Sequence, residues 1–265
     1  MDIILILKTI IMGIVEGATE FLPISSTGHL IIVGDLLEFL SKGKRDVFEI
    51  VIQLGAILAV VWQYRQKFTH VATNLNESKS QQFVINLFIA FLPLAIIGLA
   101  FHHQIKELLF NPKSVAIALI VGGFIILWIE KKLPKVTITN VDDMNWKHAL
   151  KVGFAQAIAL IPGASRAGST IIGGMLFGLS RTVATEFSFF LAVPVMFAAT
   201  AYDLYKSRDL LAADDLMIIF IGFVTAFIAA LVVIKVLIRY VQNHDFTVFA
   251  WYRIVFGGIV LWYYW

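Results

Sequence analysis

What constrains this chain most is a recurrence of apolar stretches long enough to cross a bilayer, at roughly 47–65, 83–103, 113–130, 183–205, 215–238 and 246–265. About 20 residues of helix span the hydrocarbon core, so the sequence predicts an all-α, polytopic helical membrane protein. Alternating ten-residue strands separated by turns are missing, which argues against an outer-membrane barrel. The polar stretches at 65–82 and 131–147 are too short to bury a core of their own and read as surface loops. A single integral membrane domain over 1–265 is expected.

Composition agrees, with 59% hydrophobic and 15% charged residues against roughly a quarter charged in soluble domains. Cysteine is absent, which excludes disulfides and thiolate metal sites. The net charge of +3 is small and scattered around membrane edges, so membrane lipids and not nucleic acid are the expected surroundings. The opening MDIILILKTIIMGIVEG carries Lys8 within its apolar run and no small-residue cleavage signature, so it is expected to belong to the fold. The C-terminal WYRIVFGGIVLWYYW reads as an aromatic belt at the bilayer interface.

A shift of 140 residues lays the opening segment over a second one. Across 13–36 and 153–176, Gly13, Ser25, Gly28, Ile31, Ile32, Gly34 and Leu36 meet Gly153, Ser165, Gly168, Ile171, Ile172, Gly174 and Leu176. Glu16 meets Gln156, and Ser26 meets Arg166. The match continues at a slightly smaller offset, with GGFIILW from Gly122 against GGIVLW from Gly257. The chain therefore reads as two repeats, about 1–132 and about 146–265.

Each repeat holds three clear spans preceded by a segment, 3–36 or 146–178, that proline, glycine and small hydroxyl residues break near its middle. Such a segment is expected to enter the membrane, turn, and leave on the same side, with its irregular backbone satisfied by protein or a water-filled cavity. Three crossings plus one re-entrant hairpin is an odd total, so the second repeat is expected to be inverted relative to the first. The two broken tips would then meet near the middle of the bilayer. Lysine and arginine are in excess on the side opposite the N-terminus, which favours an N-terminus outside the cytoplasm.

The tips carry the chemistry. Glu16 and Glu20 lie four apart and project from one helix face; acids at this depth are costly enough that a functional role is the default reading. Two carboxylates with nearby hydroxyl and carbonyl oxygens suit a hard divalent cation, Mg²⁺ or Ca²⁺, and serve equally well as a proton relay. Pro23 stops the first half-helix, and Ser25, Ser26 and Thr27 stand where a second would begin, as natural N-caps and as candidate phosphate donors. His29 adds a base within reach of a hydroxyl nucleophile.

The second tip reads PGASRAGST. Gly163 and the small residues around it let backbone amides approach an anion, and helix N-termini favour phosphate. Ser165, Ser169 and Thr170 add donors, and Arg166 brings a charged fork matched to phosphate oxygens. An arginine so placed could alternatively neutralise Glu16 or Glu20. Glu49, Gln53, Gln156 and Glu186 are candidates for an outer ring of support. The glycine pairs 122–123, 173–174 and 257–258 read as close helix packing. Acids, hydroxyls and arginine together are nearly what phosphoryl transfer needs.

These residues resemble the bacterial undecaprenyl pyrophosphate phosphatases, also described as bacitracin-resistance proteins. The resemblance covers essentially the whole chain and rests on EGATEFLPISSTGHL at 16–30, FEIVIQLGAILAVV at 48–61, PGASRAGSTIIGGML at 162–176 and EFSFFLAVPVMFAATAYDLYKS at 186–207. It implies hydrolysis of a C55 isoprenoid diphosphate to monophosphate and inorganic phosphate, recycling the lipid carrier for cell-wall synthesis. It implies an inner-membrane protein with inverted repeats, an active site open to the periplasmic or outer side, and dependence on a divalent metal. The acidic motif falls on Glu16 and Glu20, the hydroxyl nucleophile on Ser26, the histidine on His29 and the phosphate-binding arginine on Arg166. One position departs: the family usually has serine after the arginine, and here it is Ala167. A secondary transporter or lipid flippase is the alternative, since broken helices and midplane charges also build those.

Overall fold

The computed structural model describes residues 2–109, 111–207 and 215–264, with the side chains of Lys42, of residues 102–109 and of Ser207 outside that description. The chain opens with α1 (Ile3–Thr19) and α2 (Ser26–Leu36), followed by α3 (Lys42–Gln63), α4 (Arg65–Thr73), α5 (Ser78–Leu109) and α6 (Pro112–Lys131). The second half runs α7 (Trp146–Ala157), α8 (Arg166–Leu176), α9 (Arg181–Ser207), α10 (Leu216–Val241) and α11 (Thr247–Tyr263). Among the described residues, α3, α5, α6, α9 and α10 are long and apolar enough to cross a membrane. α11, expected as a sixth full span, has 17 residues, or about 25 Å at the helical rise.

Both opening segments break as their sequences require. α1 ends at Thr19, and Pro23, which lacks an N–H and disfavours helix at the residue before it, keeps the chain from continuing. α2 restarts from Ser25 at φ 71°, and α8 restarts from Ser165 at φ 73°. Both serines occupy a region that side chains avoid at a cost of about 1–3 kcal/mol. The two stand 140 residues apart, at matching places in the two broken segments.

The helices pack through small residues. Gly13 and Gly17 of α1 face the Gly222, Ala226 and Ala230 stripe of α10, and a methyl added at Gly13 would stand 2.7 Å from the Gly222 carbonyl. At the equivalent place in the second half, a methyl at Gly153 of α7 would stand 2.7 Å from the Ala90 carbonyl of α5. Without a hydrophobic drive between helices in lipid, close approach of this kind is what holds them together. α6 packs along α11, and α3 lies against α9 and α10. Most of the paired glycines behave as expected: Gly123, Gly173, Gly174 and Gly257 each press on a neighbouring element, whereas Gly258 faces open space. Phe88, Ile96 and Leu99 on α5 and Phe220 and Val232 on α10 point outward, as lipid-facing residues should.

The 65–82 stretch departs from its reading as a loop. It is helical through α4 and from Ser78 onward, because Phe68 and Val71, three apart, bury against Phe83 and Phe190. Lys67 pins the polar face to Asp142 at 2.5 Å. The 131–147 stretch is mostly irregular, as expected, with Thr137 and Ile138 donating to the Gly178 carbonyl.

Candidate active site

The two breaks bring their tips together. Ser26, the first residue of α2, spends its hydroxyl on no helix cap; Oγ donates to Glu20 Oε2 at 2.5 Å. Glu20 Oε1 accepts from Arg166 Nη2 at 2.8 Å, from the other tip 146 residues away. One carboxylate thus links the hydroxyl and the guanidinium, and each bond is of the stronger, charge-assisted kind. Glu20 and Ser26 are buried, and the Arg166 side chain is 11% exposed.

Arg166 is held on several sides. Nη1 donates to the Ser188 carbonyl at 3.1 Å, Nη2 reaches the Met196 sulfur at 3.2 Å, and the guanidinium carbon stands 5.8 Å over the Phe21 ring. Thr170 Oγ1 and Ser188 Oγ share a hydrogen bond of 2.6 Å, which fixes the hydroxyl beside Arg166. The Arg166 Nε is buried without a partner among the described residues.

Glu16 sits one turn before Glu20, fully buried, and neither of its oxygens has a partner among the described residues. Orphaned carboxylate oxygens are expensive to bury, so a proton or a cation must compensate them. Among the described residues no group of three or more His, Asp or Glu side chains is placed to hold a metal ion. Glu16 and Glu20 still fit a cation that draws its remaining oxygens from a ligand, since Mg²⁺ is commonly held by one or two carboxylates plus substrate phosphate.

Other expected site residues have different partners. His29 Nδ1 lies 2.7 Å from the Ser25 carbonyl, so it must donate, and in the neutral ring Nε2 accepts from the Tyr252 hydroxyl at 2.6 Å. The ring is stacked on Phe256 at 4.2 Å. The side chain bonded to Ser26 is thus the Glu20 carboxylate, and His29 is tied to the Ser25 carbonyl and the Tyr252 hydroxyl instead. Gly163, at φ +90°, is a turn and packing residue whose added methyl would meet the Val115 carbonyl at 2.5 Å. Ser165 Oγ caps α8 through the Gly168 N–H at 3.0 Å, and Ser169 Oγ donates back to the Ser165 carbonyl at 2.9 Å. Thr27 is half-buried in the first turn of α2. In the outer ring, Gln156 donates to the Ala90 carbonyl at 3.2 Å and Glu186 faces the Tyr64 hydroxyl at 3.5 Å.

An apolar groove of about 880 Å³ lies between α6 and the α7–α8 pair, lined by Ile117, Val121, Phe154 and Ile172 among others. It runs the length of α8, from Gly168 and Ser169 at the tip to Phe177 and Lys151.

The model of the family described as "Bacitracin resistance protein BacA" matches residues 9–259 of the chain. The chain belongs to this family. It is 63% identical over 262 residues to a protein of Nitrosospira multiformis named undecaprenyl-diphosphatase, covering 98% of this chain and 96% of that one. It is 62% identical to the undecaprenyl-diphosphatase of Methylobacillus flagellatus over the whole of both chains. An undecaprenyl-diphosphatase 2 of Rhodospirillum rubrum is 58% identical, over 98% of this chain and 96% of its own length. Membership in the BacA family and the long apolar helices make this a multi-pass protein of the bacterial inner membrane.

Ala167, where the BacA-type motif usually carries serine, is fully buried in the hydrophobic core. Ser188 supplies the hydroxyl near Arg166 from α9 instead. Sequence reasoning missed Ser188, Tyr252 and Arg253. Ser188 carried no signal in an apolar helix. Tyr252 and Arg253 carried one, an arginine inside an apolar run, which the aromatic-belt reading of the C-terminus absorbed.

Proposed function

We propose that this chain hydrolyses undecaprenyl diphosphate to undecaprenyl phosphate and inorganic phosphate, recycling the lipid carrier of cell-wall synthesis. The observation that carries the reading is the Ser26–Glu20–Arg166 chain of hydrogen bonds across the two tips. Ser26 attacks the terminal phosphorus while its proton passes to Glu20, to which it is already bonded. The bond from that phosphorus to the bridging oxygen breaks, and the lipid monophosphate leaves. Water then attacks the phosphoserine and frees inorganic phosphate.

Arg166 exchanges its bond to Glu20 for the phosphate oxygens and stabilises their charge as the bond breaks. Its unpartnered Nε gives it a donor to spare. Glu16 and Glu20 would hold a Mg²⁺ or Ca²⁺ ion together with the diphosphate; bound there, the ion supplies charge neutralisation of the phosphate oxygens. Ser25, Thr27, Ser165, Ser169 and Thr170 shape the two turns around the phosphates. Part of the isoprenoid tail lies in the groove beside α8, which is apolar and starts at the turn that carries Arg166.

The frame for this site is a single domain of two inverted repeats, about 1–132 and about 146–265, each with a re-entrant hairpin and three membrane helices. Its support is the recurrence of the serine turn, the equal length of α2 and α8, and the packing of each hairpin on the opposite half, α1 on α10 and α7 on α5. The site opens to the outer side of the membrane. Purified protein given a polyprenyl diphosphate should release phosphate, and Arg166→Ala should cut kcat/KM by about 10²–10³-fold. Full activity in that variant would refute the assignment.

A further inference from the structure

The chain holds a second buried arginine with an opposite character. Arg253, on α11, is 1% exposed. Nε donates to the Leu119 carbonyl at 3.2 Å, Nη1 to those of Pro23 and Ala164 at 3.1 and 3.0 Å, and Nη2 to those of Ala118 and Gly163 at 3.1 and 3.0 Å. A guanidinium has five N–H donors, and here every one goes to a backbone carbonyl. Nothing remains for a substrate, whereas Arg166 has a donor unspent.

The five carbonyls belong to three separate pieces of chain. Pro23 is in the first tip, Gly163 and Ala164 are in the second, and Ala118 and Leu119 are on α6. Among the described residues the two tips are also joined by the Glu20–Arg166 pair, by the Arg166 guanidinium over the Phe21 ring and by a long 3.5 Å contact from Ser165 Oγ to the Leu22 carbonyl. The neighbouring Tyr252 adds a further hold on the first tip through His29. The fold also makes room for this fork: a methyl at Gly122 would stand 2.7 Å from the guanidinium carbon.

We propose that Arg253 is a positioning residue that locks the two tips in register, so that Ser26 and Glu20 on one face Arg166 on the other. The proposal rests on the reading of those three as the reacting groups. A planar fork with five fixed donors does this where lysine, with three donors on a flexible stem, cannot. Misplacement of reacting groups by about 1 Å can cost about 10²-fold in rate, and the loss falls on kcat because Arg253 has no donor left for the diphosphate.

The test uses full-length protein in lipid nanodiscs, with Arg253→Lys, Arg253→Met and Gly122→Ala. Gly122→Ala keeps the arginine, favours the helix and expels the guanidinium from its place. Gly258→Ala, whose methyl meets open space, is the control. Phosphate release is compared per folded protein, alongside the distance distribution between spin labels on the otherwise cysteine-free chain at Leu36→Cys and Ile161→Cys. All three variants should lower kcat by about 10–100-fold with KM within about threefold, and broaden a distribution that stays narrow in the wild type and in Gly258→Ala. Unchanged kcat in Arg253→Lys and Gly122→Ala, or a narrow distribution in variants with lost kcat, would overturn the proposal. Inactive wild-type protein would refute the reading of the reaction, and the label distances would then still decide whether Arg253 couples the tips.

Discussion

The two hairpins share a backbone and divide the chemistry. Both restart from a serine near φ 70°, and both second arms run 11 residues, Ser26–Leu36 and Arg166–Leu176. Yet Glu16, Glu20, Ser26 and His29 on the first stand where Gln156, Leu160, Arg166 and Ser169 stand on the second. The acids and the Ser26 hydroxyl stand in the first segment and the arginine in the second. The surroundings diverge in the same way: His29, Tyr252 and Phe256 stack into a plug beside the first hairpin. Their counterparts beside the second, Ser169, Ile117 and Val121, line an open groove. In the proposed reading, a duplicated frame supplies the geometry, and substitution at equivalent positions makes it a site.

That division can be broken at its most sensitive point first. Ser26→Ala removes the proposed nucleophile and leaves the turn, so kcat should fall by at least about 10³-fold in a phosphate-release assay, with helix content unchanged by circular dichroism. Activity above a tenth of wild type would mean that the first tip does not supply the attacking group.

Next in size is the groove. Val121→Trp places a large ring where the second half is open, and should raise KM for a long-chain polyprenyl diphosphate about tenfold, the effect of about 1.4 kcal/mol. A short, soluble isoprenyl diphosphate should be hydrolysed as before. Equal effects on both substrates would show that the groove does not hold the tail.

The smallest effect is expected at the plug. Tyr252→Phe keeps the stack and removes one neutral hydrogen bond to His29, worth about 1 kcal/mol, so kcat should drop by less than about tenfold. A loss as large as that of Ser26→Ala would make His29 a participant in the reaction and not a brace of the turn.

Much of this was legible in the sequence because it is local or periodic. The spans follow from apolar length, the breaks from Pro23 and the glycine-rich second tip, and the facing of Ser26 and Arg166 from the 140-residue shift. Partners were not legible. That Glu20 accepts the Ser26 hydroxyl, and that His29 turns to Tyr252, 223 residues away, depends on helix rotations that spacing does not encode. Arg253 was hidden for another reason: an apolar, aromatic-rich run satisfies the membrane-interface pattern so well that the charge inside it was read as an edge. Helix α4 was missed because two apolar residues, Phe68 and Val71, give too short a stripe to stand out among polar neighbours.

The central claim is that the two tips form one site through Glu20. A double-mutant cycle of Glu20→Gln and Arg166→Ala, read as kcat/KM for a polyprenyl diphosphate, tests it most directly. If the two act as a unit, the double variant should lose little more than the worse single variant; losses that multiply would mean that the tips work independently and that the bond between them is only structural.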